Sequence, residues 1–233
     1  MIQFKDGFYA DVRTEDRYRT AISYKNGVPE EMKTRVEKRA FIRVYDGKMW
    51  YYASVTDLSN LQKTLDGLYS AATPNHAIAD DPIVKRFERN RDEVMRFKDC
   101  SVRDVTLAEK QALLLSYLPL LTEDKCVTMP QGLYLDRNSV FRFRSSLGAD
   151  VTYDYQTCGV SFSCSMTEGE KKFSGHWQKG GTKFDDVKGL ESDIRAAVKE
   201  QAAFMRNSVP VEPGKYPVVL SPEAAGVFAH ESF

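Results

Sequence analysis

The residues best suited to chemistry in this 233-residue chain lie at its far end, in the stretch SPEAAGVFAHESF that begins at Ser221 and carries the pair His230-Glu231. A neutral imidazole is a common zinc ligand, and a carboxylate beside such a ligand can take a proton from metal-bound water. Adjacent residues on a helix point about 100° apart. A glutamate following a ligand histidine therefore faces the bound water instead of becoming a second ligand. The pair alone is a two-residue match, and zinc sites normally take three or four protein ligands. The other histidines read as bystanders: His76 sits in a polar Pro-Asn segment and His176 beside Trp177 in a β-like run. The four cysteines, Cys100, Cys126, Cys158 and Cys164, show no Cys-x-x-Cys spacing and read as reduced thiols. No Gly-x-x-x-x-Gly-Lys-Ser/Thr, no Gly-x-Gly-x-x-Gly after a strand and no Gly-x-Ser-x-Gly occurs, so neither a nucleotide site nor a serine nucleophile elbow is indicated.

The setting of the pair gives it weight. Ser221 is a good N-cap, Pro222 suits the first helical position, and Glu223 favours the positive end of the helix dipole. Ala224 to Ala229 are small or apolar, so the pair closes a helix that looks made for burial, where an unpartnered carboxylate would be costly. Before it come a Pro-rich connector (209–214) and a short apolar run that predicts a strand over 216–220.

The rest of the chain must position that helix. Alternating runs predict strands over 9–13, 18–24, 40–45 and 49–55, with Asn26-Gly27 and Asp46-Gly47 as tight turns. Leu58, Leu61, Leu65, Leu68 and Ala72 trace one helical stripe capped by Asp57 or Ser59. A charged stretch, 82–98, is read as helical. Thr106 and Glu109 form a capping box that predicts a helix from Leu107 to about Leu118, near Pro119. Further strands are expected over 133–136, 140–144, 151–155, 159–166 and 172–177, then an amphipathic helix over 187–205. Runs of strands separated from runs of helices predict an α+β fold with largely antiparallel sheets and packed helices. Two subdomains are expected, 1–105 and 106–214, followed by 215–233.

Lysine and arginine balance aspartate and glutamate at 33 each, so no global field recruits nucleic acid or an anionic membrane. The longest apolar run, 112–121, is interrupted by Ser116 and Pro119 and falls short of the ~20 residues a bilayer needs. The N-terminus reaches charge and glycine at once, unlike a secretory signal. A cytoplasmic protein is expected.

The stretch PGKYPVVLSPEAAGVFAHESF resembles the segment of the TldD/PmbA metallopeptidase family that leads into its His-Glu-x-x-x-His signature. YADVR resembles the family's first strand, and RAFIRVYDGKMWYYASVTDLSNLQ its hairpin and following helix. The resemblance implies a zinc-dependent peptidase acting on peptides or unfolded polypeptides, often a homo- or hetero-dimer of related subunits. It implies His230 as a zinc ligand and Glu231 as the general base, as in the zinc-bearing, TldD-like subunit. The second histidine would follow His230 by five residues, and the family's cysteine ligand belongs to a C-terminal domain. None of the four cysteines here takes that place. The expectation is an N-terminal portion, inactive alone, with 215–233 opening the metallopeptidase's C-terminal domain. The rival expectation is a non-enzymatic β-rich peptide-binding or scaffold module in which His230-Glu231 is incidental.

Overall fold

The computed structural model describes residues 2–232. Its elements are β1 (Tyr9–Lys25), β2 (Val28–Tyr45), β3 (Trp50–Val55), α1 (Leu61–Ala71), β4 (Arg91–Val94), α2 (Leu107–Leu121), β5 (Val127–Ser145), β6 (Asp150–Glu168), β7 (Lys171–Gly181), α3 (Glu191–Asn207) and α4 (Pro222–Ser232). The seven strands form one sheet in the order β3-β2-β1-β5-β6-β4, with β7 also on β6. Every pairing is antiparallel except β4 with β6. The fold is α+β and largely antiparallel, as expected. The two expected strand clusters meet inside this sheet, because β1 pairs with β5 from Asp11↔Ser145 to Lys25↔Gln131.

Several short runs turn out to be pieces of long strands. The 9–13 and 18–24 runs are both β1, and the charged segment before Ala40 continues β2 back to Val28. The β1–β2 turn places Asn26 at φ 51° and Gly27 at φ 74°, the left-handed pair that Asn-Gly accommodates. At the next turn, Asp46 Oδ1 accepts from the backbone N–H of Lys48 and of Met49, each at 2.8 Å.

One face of the sheet carries the helices. Ala10 and Val12 of β1 pack with Ile42, Val44, Leu65 and Tyr69 beneath α1. Further along the same strand, Ile22 and Tyr24 pack with Leu114, Tyr117, Tyr134, Phe162 and Ile194 beneath α2 and α3. All four β1 residues are even-numbered, so strand periodicity puts both cores on one face.

The helix expected over 82–98 is absent. A short turn at Val84–Arg86 is followed by β4, parallel to β6. The apolar residues there are too sparse for a stripe. Val84 and Phe87 instead pack on the far face with Tyr9, Tyr45 and Trp50, Phe87 stacking on Tyr9 at 4.4 Å. The Asp154 carboxylate accepts from the N–H of Arg96 and of Phe97, both at 2.8 Å, and fixes the chain as it leaves β4.

The capping box of α2 forms as written: Glu109 N–H donates to Thr106 Oγ1 at 3.2 Å and Thr106 N–H to Glu109 Oε2 at 2.9 Å. The helix runs through Pro119 to Leu121. Pro119 leaves the Leu115 carbonyl without its helical donor and its ring crowds that carbonyl, and the helix ends two residues later.

Two charged constellations hold the sheet from opposite sides. On the helix face, Lys110 of α2 and Asp136 of β5 are fully buried and 2.7 Å apart. Lys110 Nζ also donates to the Val102 carbonyl at 2.7 Å, and Asp136 accepts from Thr20 N–H at 3.0 Å and Tyr134 O–H at 2.8 Å. On the far face, buried Glu15 accepts from Arg17 (2.8 Å), Arg39 (2.6 Å), Arg137 (3.0 Å) and the Ser139 hydroxyl (2.9 Å). Burial alone would raise the Glu15 pKa. The guanidinium and hydroxyl donors outweigh it and hold the carboxyl at about 2, against the ordinary 4.5.

Removing one member of a buried pair strands the other charge. Lys110→Met is therefore expected to lower unfolding free energy by about 3–5 kcal/mol, read from urea denaturation. Because folding depresses the Glu15 pKa, its contribution is present in full above pH 4.5 and is lost as pH falls toward 2. The stability gap between wild type and Glu15→Gln should be flat above that window and shrink through it, measured by urea midpoints across the range.

Candidate functional site

After α3 the chain leaves the sheet. The connector from 209 to 221 is exposed throughout. The strand expected over 216–220 does not form: Val218 and Val219 are 73% and 97% exposed and no neighbouring strand takes up their backbone. An apolar run becomes a strand only where a partner strand accepts its N–H and C=O groups, and the described sheet offers it none.

The terminal helix forms where the sequence places it. In α4, Ser221 Oγ accepts from Ala224 N–H at 3.2 Å, the N-cap bond, and Ala225 N–H closes the first turn onto the Ser221 carbonyl at 2.8 Å. Pro222 occupies the first helical position and Glu223 the first turn. His230 and Glu231 lie in the last turn, both exposed. The apolar residues Val227 and Phe228 are 62% and 66% exposed. The final residue, Phe233, lies outside the described residues.

Among the described residues, no group of three or more histidine, cysteine, aspartate or glutamate side chains could hold an ion. His76 is on an exposed loop, His176 is exposed on β7, and His230 is on α4, so the three histidines sit on separate elements. Cys126, Cys158 and Cys164 are buried. Burial raises all three thiols, Cys158 and Cys164 to about 11, so they are neutral thiols at neutral pH. His230 and Glu231 alone do not make a zinc site.

Glu223, at the start of α4, lines a cavity of about 480 Å³ with Leu133, Leu135, Gly159, Lys179 and Gly180. Helix α4 thus begins over the face of the sheet that the other helices leave open. Along that face the Glu15 cluster continues into Arg13 over Phe143 (5.8 Å), Phe141 stacked on Tyr153 (5.0 Å) and a groove of about 660 Å³ between Arg13, Arg39, Phe41, Thr56 and Phe141. The sequence reading missed this surface. Its signal was present as charge and aromatic side chains at every second position of β1, β2 and β5, which becomes visible only once the strands are known to be long.

Residues 10–72 match the family model described as PmbA/TldA metallopeptidase domain 1. A metalloprotease of Methanocaldococcus jannaschii is 23% identical over 229 residues, covering 97% of this chain and 51% of the relative. A metalloprotease of Synechocystis is 25% identical over 233 residues, covering 97% of this chain and 49% of the relative. The chain spans about half the length of the curated relatives it matches. Among solved structures, TldE from Thermococcus kodakarensis superposes with a TM-score of 0.65 at 13% identity, over 88% of this chain and 46% of that one. A Thermotoga maritima protein, crystallised as a candidate modulator of a DNA gyrase, gives 0.67 at 18% identity, over 89% and 47%. The two structures share the fold described above. The domain match at its first strands and the metalloprotease relatives along nearly its whole length make the chain similar to the TldD/PmbA family.

Proposed function

We propose that this chain is the N-terminal half of a zinc-dependent metallopeptidase that cleaves peptides or unfolded polypeptides. In this reading His230 is a zinc ligand and Glu231 the general base. The observation that carries it is α4: a capped helix of small residues that ends in His-Glu and holds Val227 and Phe228 more than half exposed. Such a face suits a helix covered by further protein. The metalloprotease names of the relatives, and their roughly doubled length, support the same view. The remaining ligands then come from residues outside this chain, and the 233 residues alone are inactive. The open face of the sheet, with its cationic and aromatic groups, offers a floor for an extended polypeptide. The protein works in the cytoplasm as a dimer, with a copy of itself or a related subunit.

The test compares this chain with a version extended to the length of the relatives. The chain alone should retain no stoichiometric zinc after gel filtration and cleave no peptide. The extended protein should bind zinc and lose activity to a chelator, and Glu231→Gln should lower its kcat by roughly 10²–10⁴-fold with zinc retained. An extended protein with no His five residues after His230, or a Glu231→Gln form as fast as wild type, overturns the reading. In that case the non-catalytic peptide-binding module is favoured.

A further inference from the structure

The outer edge of β2 is open over most of its length. β3 pairs only with Ala40–Tyr45, so from Val28 to Arg39 the strand has β1 on one side and nothing on the other among the described residues. All twelve of these residues are exposed. A row of unpaired backbone donors and acceptors is a template for another strand. Here the side chains say which strand.

Residues on the open face of this edge read Glu31, Lys33, Arg35, Glu37 and Arg39. Two copies related by a two-fold axis perpendicular to the sheet keep the same face up, so an odd position always meets an odd position. With Arg35 on the axis, Lys33 faces Glu37 and Glu31 faces Arg39, each twice by symmetry, and only Arg35 meets a like charge, its own copy. With Thr34 on the axis, Lys33 would face Arg35 and Glu31 would face Glu37, all repulsive. With Lys33 on the axis, only Glu31 and Arg35 match. Opposite charges directly across an antiparallel pair stabilise it and like charges oppose it. On the helix face, the Arg35 register sets Thr34 against Val36 and lays the Lys38 stem over Met32, covering apolar surface that is now 59% exposed at Val36 and 41% at Met32. Pro29, which has no N–H, marks the end of the usable edge.

We propose that this edge of β2 pairs antiparallel with the same edge of a second copy of the chain, with Arg35 on the two-fold axis. The two sheets then become one continuous sheet. The inference rests on the dimeric reading above and adds the surface and the register.

Sedimentation of the full chain over a concentration series tests it, using wild type, Lys33→Glu, Glu37→Lys and the double swap Lys33→Glu/Glu37→Lys. Wild type and the double swap should dimerise alike. Each single change should raise the dissociation constant on the order of tenfold or more, about 1.4 kcal/mol per decade. Urea midpoints at low protein concentration should be unchanged, because both positions are exposed. Under oxidation, Arg35→Cys should cross-link to its own copy, since directly opposed Cα atoms lie about 4.5–5.5 Å apart, and Thr34→Cys should not. A monomeric wild type overturns both the interface and the homodimer, leaving the edge to a peptide or a related subunit. A dimer indifferent to the single changes, or a double swap that fails to restore it, overturns the interface and leaves the dimer standing.

Discussion

The Lys110–Asp136 pair sets where α2 can lie on this sheet. An ammonium fully withdrawn from water needs a carboxylate and further acceptors at close range, and the structure supplies them from three elements. Asp136 in turn holds the β1 backbone at Thr20 and orients the Tyr134 hydroxyl, which is itself within 3.4 Å of Cys158 on β6. One charge pair thus ties α2, β1, β5 and β6 together. Apolar residues in place of both charges could pack as well but could slide. The ion pair permits one placement, the kind of register role best attested for buried polar groups.

With the helices committed to that face, the other face has to manage without a covering layer. It does so with guanidinium groups, whose stems lie over the sheet and whose heads reach Glu15 or an aromatic ring. Glu15 organises three arginines that would otherwise repel one another. The result is a sheet surface that is fixed and cationic, at one end of which α4 begins.

Local chemistry made parts of this legible in the sequence. The Asn26-Gly27 turn, the Thr106–Glu109 capping box and the Ser221 cap each depend on residues within four positions of one another, and each is present. The α1 stripe was equally plain, since leucines at spacings of three and four leave little choice. Strand lengths were hidden because Glu30 to Arg39 carries no apolar alternation. That segment is a strand because β1 pairs with it, a cause outside the segment. The 82–98 segment failed as a helix for the related reason that Asp154, sixty or so residues away, claims its backbone. The terminal helix α4 was legible as a helix from its cap and its small residues. The partners of His230 and Glu231 were not, because the described residues do not include a set that could join them.

The connector between α3 and α4 has a consequence for how the two ends of the molecule communicate. Pro210, Pro213 and Pro217 recur through it, and a proline-rich chain behaves as a semi-rigid spacer of about 3.1 Å per residue. Its thirteen residues can therefore hold α4 anywhere within an arc of roughly 40 Å of the end of α3, without unfolding anything. The sheet then acts as an anchored base and α4 as the tip of a stiff arm. The length of that arm, and not any contact in the core, bounds how far His230 can lie from the end of α3.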